Sequence, residues 1–362
     1  MARPELRAAE LTETEYPEWS ELVSAAATGS AYARAEYLDA LCTAAGGRFR
    51  ILGVRQGDLL VGGVGLYERD GPFGKYVSPR LLLYYNGPVL RQHETKYPSE
   101  RTARELKTLA AIESWIGQAG YGSVALKPRS PLADVRAFLT RGWHASRHYT
   151  YVVSIADLEQ TRTRIEQNLR RLIDRCGRAD VGFTEDDDFE SFFRNHVLTM
   201  GRVDSQVYLP AAAFRAFHDT LARQGLLKLF HARLASGRAI ASQLVLLGHP
   251  VTHTVTAGAD PEHLKTGVTP FLRWKVFERL AALGYSANDL TDASLNPVTH
   301  FKSQLGGSLE AVVELRSPET ARYRLGVRAT ALASRTRAAV GGLVRRALPG
   351  TTHERAAERT DA

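Results

Sequence analysis

The stretch Gly284–Arg316, GYSANDLTDASLNPVTHFKSQLGGSLEAVVELR, decides how the rest of this 362-residue chain is read. It predicts a strand, a turn, a short helix from Pro297, a double-glycine turn at Gly306 and Gly307, and a closing strand. Two residues in it suit chemistry at a carbonyl. When an amine attacks an ester or thioester, the carbonyl oxygen becomes an anion, and a fixed cation beside it lowers the barrier by about a few kcal/mol. Lys302, on the short helix, is that candidate cation, set against the reading of a solvated surface lysine. Asp292 falls at the C-terminal end of a strand, where open α/β sheets bind ligands. It is the candidate to orient or accept the proton of the attacking amine, set against an N-cap or Asx-turn role before the helix.

Working outward, a second copy of this pattern lies earlier in the chain, GYGSVALKPRSPLADVRAFLTRGWHASRHYTYVV at residues 120–153. The Gly-Tyr pairs and the phenylalanines Phe138 and Phe301 fall at nearly equal spacing, and each copy follows helices, a hairpin and a long helix. Where the second copy has Lys302 after its phenylalanine, the first has Leu139. The expectation is therefore an α/β (α+β) chain of two tandem domains with mixed sheets flanked by helices. Residues 1–155 form a supporting, acceptor-binding half and residues 156–318 a catalytic half, with the site at the groove between them. Residues 319–362 form a basic helical tail.

Periodicity fills in the elements. EYPEWSELVSAAATG and RAEYLDALCTAAGG predict helices, the second closed by Gly46 and Gly47. RFRILGVRQ and LLVGGVGLYER predict a hairpin across Gly57 and Asp58. RDGPFGKYVSPRLLLYYNGPVL predicts an irregular loop with a short strand from Leu81. Leu106, Leu109, Ile112, Trp115 and Ile116 mark a helix ending at Gly120. In the second half, DLEQTRTRIEQNLRRLIDRCGRA predicts one long basic helix. LLKLFHARL and AIASQLVLLG predict a second hairpin, THTVTAGA a strand, PEHLKTG a loop and TPFLRWKVFERLAALG a helix.

A net charge of +8, carried mostly by arginine, favours anionic partners such as nucleic acid, phosphorylated substrates or an acidic lipid surface. Cys42 and Cys176 are the only cysteines and lack disulfide or metal spacing, so neither a disulfide framework nor a metal site is expected. No run is apolar enough for a signal peptide or a membrane span, which predicts a cytoplasmic protein.

The order of elements resembles the GNAT acyltransferase fold. The tandem arrangement, with N-L-R-R at Asn168–Arg171, T-D-A-S at Thr291–Ser294 and H-F-K-S-Q-L-G-G at His300–Gly307, is similar to the Fem transferases, whose pattern is D-x-x-G followed by F-K-x-x-F-G-G. The likeness spans roughly residues 20–316 in layout, with motif identity confined to Asn168–Arg171 and Asp292–Gly307. It implies transfer of an acyl group to an amine. The implied donor is an aminoacyl-tRNA and the acceptor a peptidoglycan precursor or peptide-like metabolite; in ordinary GNAT enzymes the donor is acyl-CoA. The family's lysine at the position of Lys302 serves phosphate or transition-state binding. Two departures stand out: the glycine of D-x-x-G is replaced, since Asp292 is followed by Ala293, Ser294 and Leu295, and HLKTGVTPF lacks the full pyrophosphate motif R-x-x-G-x-G/A.

The remaining candidates bind rather than react. Arg170 and Arg171, with Arg175 and Arg178, share a helix face suited to tRNA phosphates, or simply to water. Lys265 and Gly267, at a helix start, suit a donor phosphate. His253 and His300 are the candidate bases, against ordinary structural roles. Phe301 packs the short helix onto the sheet, with a ligand contact as the minor reading, and Gly306 and Gly307 supply positive φ for the turn. The Arg-rich segment from Glu319 to Leu348 suits RNA or peripheral membrane contact. A non-catalytic RNA- or membrane-binding protein is the alternative of another class.

Overall fold

The computed structural model describes residues 5–330. Strand β1 (Leu6–Glu10) leads into helices α1 (Tyr16–Ala25) and α2 (Ala35–Ala45), the latter ending at Gly46 with φ of 71°. The first hairpin is β2 (Arg48–Gln56) and β3 (Leu59–Gly71), followed by β4 (Gly74–Val77) and β5 (Val89–Leu90). Then come α3 (Pro98–Gln118), β6 (Ser123–Leu126), α4 (Arg136–Leu139) and β7 (His144–Ser154). The second half runs α5 (Leu158–Arg164), α6 (Gln167–Gly177), β8 (Gly182–Glu185), α7 (Phe189–Arg202) and α8 (Ala211–Arg223). It continues with β9 (Leu227–Arg233), β10 (Ala239–Leu246), β11 (Thr252–Ala259), α9 (Val268–Ala282), β12 (Ala287–Asp289), α10 (Pro297–Ser303) and β13 (Ser308–Arg316).

Three local expectations need correction. The basic helix breaks into α5 and α6 because Ile165 turns inward to the core and the Glu166 N–H donates to the Gln304 carbonyl at 3.0 Å. The segment before Leu81 is a hairpin, since Glu68–Gly71 pairs back with Gly74–Val77, and the short strand falls at Val89 instead. Residues 261–266 form a 3-10 turn rather than an open loop, capped by the Asp260 side chain.

The strands form one 13-stranded sheet rather than two, in the order β1-β2-β3-β4-β6-β13-β7-β12-β11-β10-β9-β8, with β5 on β3. The closing strands of the two halves are exchanged. β13 pairs antiparallel with β7 along nine residues and touches β6 at Leu315 and Arg316, while β7 continues onto β12 at Ala287–Asp289. Each half also contains one short parallel pairing, β4 with β6 and β11 with β12, each only two residues long.

Apolar side chains bury both faces. α9 places Val268, Phe271, Leu272, Val276, Phe277 and Leu280 on the second half's sheet, at roughly 1.5–3 kcal/mol for each large side chain removed from water. A separate cluster joins the halves, with Tyr32, Tyr37, Leu38 and Tyr85 of the first against Phe192, Phe214, Phe217 and Leu246 of the second. Residues 321–330 are helical, and the Tyr323 ring sits 6.3 Å from that of Tyr76 in the first half. The rest of the predicted basic tail lies outside the described residues.

Candidate functional site

The site begins where β11 and β12 part. They pair in parallel only at Thr252–Asn288 and His253–Asp289, and β11 then runs on alone to Ala259. Beyond Asp289 the chain follows β7 instead, with Leu290 N–H on Tyr151 O and Ala293 N–H on Tyr149 O, both at 2.8 Å. The strands diverge there, and Thr291 and Asp292 make the bend with φ of 49° and 56°.

Positive φ at two successive non-glycine residues is strained and needs outside support. Lys302 supplies part of it: its ammonium donates to the Thr291 carbonyl and, at 2.7 Å, to the Asp292 carbonyl. An ammonium has three N–H groups, so one remains uncommitted among the described residues. Burial, reinforced by the nearby Arg273 charge, lowers the Lys302 pKa to about 8, against the opposing pull of Asp292 and Asp289.

Asp289 supplies the rest. It is 1% exposed and accepts from Tyr85 OH at 2.6 Å, Thr150 Oγ1 at 2.5 Å and the Thr291 N–H at 2.7 Å. Burial alone would raise its carboxyl, but His253 and these hydroxyls outweigh burial and hold it below the usual carboxylate range. His253, fully buried, has its pKa lowered by burial, against the opposing pull of Asp289. Its Nε2 meets Ser30 Oγ at 3.0 Å, while Nδ1 lies 3.6 Å from Asp289, beyond hydrogen-bond distance. Ser30 and Tyr85 come from the first half, so this polar cluster ties the halves together directly beneath the bend.

An apolar cavity lies beside this junction. It holds about 370 Å³ and is walled by α6 (Leu169, Leu172), β10 and β11 (Gln243, Gly258), the start of α9 (Gly267, Arg273) and α10 (Phe301). All its walls belong to the second half, whereas the sequence pointed to the groove between halves; the divergence of β11 and β12 opens the space within one half. Phe301 is part of the wall and also packs on the core. Lys302, one residue on, faces the bend instead.

The other candidates sort by position. Asp292 turns its carboxylate to Ser294 Oγ at 2.8 Å, and the α10 N-cap is Asn296 rather than Asp292. His300 is exposed on α10, whereas His253 is fully buried among Ser30, Tyr85 and Asp289. Arg170 and Arg171 lie on α6 behind the wall residues Leu169 and Leu172, and neither they nor Arg178 has a side-chain partner among the described residues. Arg175 donates to the Lys265 carbonyl at 2.5 Å, which carries the cationic face of α6 onto the exposed Lys265. Gly267, at φ of 90°, is fixed by space as well, since a Cβ there would meet the Leu172 carbonyl at 2.8 Å. Gly306 has φ of 80°; Gly307 does not have positive φ and is instead required by the Val152 carbonyl, 3.0 Å from a Cβ.

Sequence reasoning missed Asp289, Arg273, Gln243 and Lys127. Lys127 is buried in the first half with its ammonium 4.0 Å from the centroid of the Tyr84 ring. A charged residue inside the apolar run of T-P-F-L-R-W-K-V-F was the available signal for Arg273.

Comparison with known proteins places this geometry. Residues 159–303 match the family model described as an acetyltransferase (GNAT) domain. No curated protein matches the chain. Among solved structures it is similar to FemX, at 10% identity over 85% of this chain and 96% of that one, with a TM-score of 0.66. It is also similar to the C-terminal domain of a putative lysylphosphatidylglycerol synthetase from Agrobacterium fabrum, at 12% identity over 89% and 98% with a TM-score of 0.57. A third likeness is a tandem GNAT protein from the clavulanic acid biosynthesis pathway, at 15% identity over 86% and 98% with a TM-score of 0.52. The chain thus carries an acyltransferase domain of the GNAT class. More particularly, its fold is the Fem-like tandem GNAT fold. Among the described residues no helix is long and apolar enough to cross a membrane.

Proposed function

We propose that this chain transfers an aminoacyl group from an aminoacyl-tRNA to an amine of a peptidoglycan precursor or a peptide-like metabolite. The observation that carries the reading is one helix doing two things: α6 walls the cavity with Leu169 and Leu172 and carries Arg170, Arg171 and Arg178 beside it, the last two exposed. An aminoacyl ester lies next to nucleic-acid phosphates, so a donor of this kind needs a small apolar pocket with a cationic border. The border continues onto Lys265 at the start of α9. The likeness to the domain of a putative lysylphosphatidylglycerol synthetase supports the same class, since that protein's name is of a lysyl-bearing product.

In this reading the acceptor amine attacks the ester carbonyl beside the α10 end of the cavity. The free N–H of Lys302 stabilises the oxyanion, and Asp292 orients the amine or takes its proton. Asp289 and Tyr85 act through the bend by holding Thr291 and Asp292 in place. The first half contributes to the acceptor side through Tyr84 and Lys127. A tRNA donor sets the reaction in the cytoplasm, and the basic segment 319–362 provides peripheral contact with a membrane that carries the acceptor.

A second reading, an acyl-CoA donor, is favoured by one specific observation: α9 begins at the cavity wall with Gly267, so free backbone N–H groups of a 15-residue helix lie where a pyrophosphate would sit. The two separate cleanly. Purified protein is incubated with radiolabelled aminoacyl-tRNA pools or acyl-CoA esters and a cell extract of amine acceptors. Transfer from charged tRNA that is lost in Lys302→Met supports the first reading, and transfer only from acyl-CoA overturns it.

A further inference from the structure

Arg273 is a buried charge left short of partners. It is 7% exposed, lines the cavity, and has Nε and Nη1 without a hydrogen-bond partner; no carboxylate lies within ion-pair distance of it among the described residues. Burial pulls its pKa down to about 10, which still leaves it charged at neutral pH. Nearby Lys302 adds like charge rather than relief. A buried guanidinium without an anion is costly, and such groups ordinarily neutralise or pair. Two further buried atoms on the same cavity wall lack partners, Gln243 Oε1 and Thr269 Oγ1.

We propose that the cavity recognises a transferred acyl or aminoacyl group bearing a carboxylate, seated on Arg273, with the Thr269 hydroxyl donating to a carboxylate oxygen and Gln243 Oε1 accepting from an N–H or O–H elsewhere on the group. This rests on the reading that the cavity seats the group being transferred. A carboxylate fits better than a donor phosphate for two reasons. Arg273 stands six residues beyond Gly267, about 9 Å along the α9 axis and away from the helix N-terminus where a phosphate belongs. The wall around it is apolar (Leu169, Leu272, Phe301), which costs a doubly charged phosphate more desolvation than a singly charged carboxylate. The carboxylate makes and breaks no bond in the transfer. It anchors the chain so that the reacting carbonyl lies towards α10.

The test needs no turnover. The full-length protein is titrated with glutarate, its neutral isostere glutaramide, and inorganic phosphate, by calorimetry and by melting temperature. Glutarate is expected to bind and raise the melting temperature, with glutaramide at least tenfold weaker. Arg273→Met is expected to abolish the glutarate response while melting no lower than the parent without ligand, because it removes an unpaired buried charge. A residue of merely structural value would lower the melting temperature instead. Gln243→Glu, which places a carboxylate within the same cavity, is expected to weaken glutarate at least tenfold and decides the matter if Arg273→Met does not fold. Equal binding of glutaramide, a response to phosphate alone, or glutarate binding unchanged in both variants overturns the proposal. None of these outcomes bears on whether tRNA or CoA is the donor, so the two readings fail separately.

Discussion

Lys302 can be tested through stability alone, without a substrate. Its ammonium is buried against two carbonyls, and its pKa falls from 10.5 to about 8. A lysine whose folded pKa is depressed binds fewer protons folded than unfolded between those two values, so stability rises with pH across that window. The full cost of charging it in the fold is about 3 kcal/mol, present below pH 8 and relieved as pH climbs through 10.5. Integrating the two titrations, roughly 2–3 kcal/mol of that cost disappears between pH 7 and pH 10. In Lys302→Met the linkage is absent. The two carbonyls of Thr291 and Asp292 lose their donor, but that loss is the same at every pH and drops out of the comparison. The assay is urea unfolding of both proteins at pH 7 and pH 10, followed by circular dichroism. Stability of the parent relative to the variant is expected to improve by roughly 2–3 kcal/mol at the higher pH. Parallel pH dependences would refute the buried, charged lysine and with it the free N–H assigned to the oxyanion.

Asp289→Asn keeps one acceptor oxygen and sets an amide N–H₂ against either the Tyr85 hydroxyl or the Thr150 hydroxyl and Thr291 N–H, and is expected to cost about 3 kcal/mol in urea unfolding at pH 7. Because the Asp289 pKa is depressed, its stabilisation is full above the unfolded carboxylate value and lost as pH falls through the folded one, so the variant should show a shallower acid limb. Gly267→Ala meets the Leu172 carbonyl and keeps a positive φ, which predicts a loss of about 2 kcal/mol and a smaller cavity, read from the melting temperature and from ligand affinity. Arg171→Ala with Arg178→Ala removes two exposed cations, so stability should hold within about 0.5 kcal/mol. The slope of log affinity for tRNA against log salt should flatten by about one per arginine in filter binding; an unchanged slope would remove α6 from the tRNA surface.

Much of the scaffold was legible because it is written in local periodicity. The repeat of Gly-Tyr, strand, short helix and glycine turn is found as β6, α4 and β7 and again as β12, α10 and β13. What local pattern does not carry is the identity of the partner strand, and so the exchange of β7 and β13 was invisible. The same limit explains the break after Arg164, where a tertiary hydrogen bond from Glu166 to Gln304 overrides a continuous helical pattern. Lys302 was singled out by its motif, but its surroundings were not legible. Its partners are carbonyls exposed by positive φ at Thr291 and Asp292, residue types that rarely adopt that conformation. Asp292 drew attention as the turn acid, while Asp289, three residues earlier, takes three donors because the pairing with Val152 buries it. Arg273 reads as one charge in an apolar helix, and only the cavity gives it a purpose.

The exchanged strands also dictate an order of events during synthesis. The first half presents the β6 edge and the flank of β7 as soon as its residues emerge, yet the strand that fills the gap between them is made about 150 residues later. Until Ser308–Arg316 is available, nascent chains carry two unpaired ribbons of backbone, the kind of surface that chaperones guard and that aggregates when they do not. The halves therefore commit together, late and at long range in sequence, and a ribosome stalled anywhere before residue 308 holds a sheet with a missing stave.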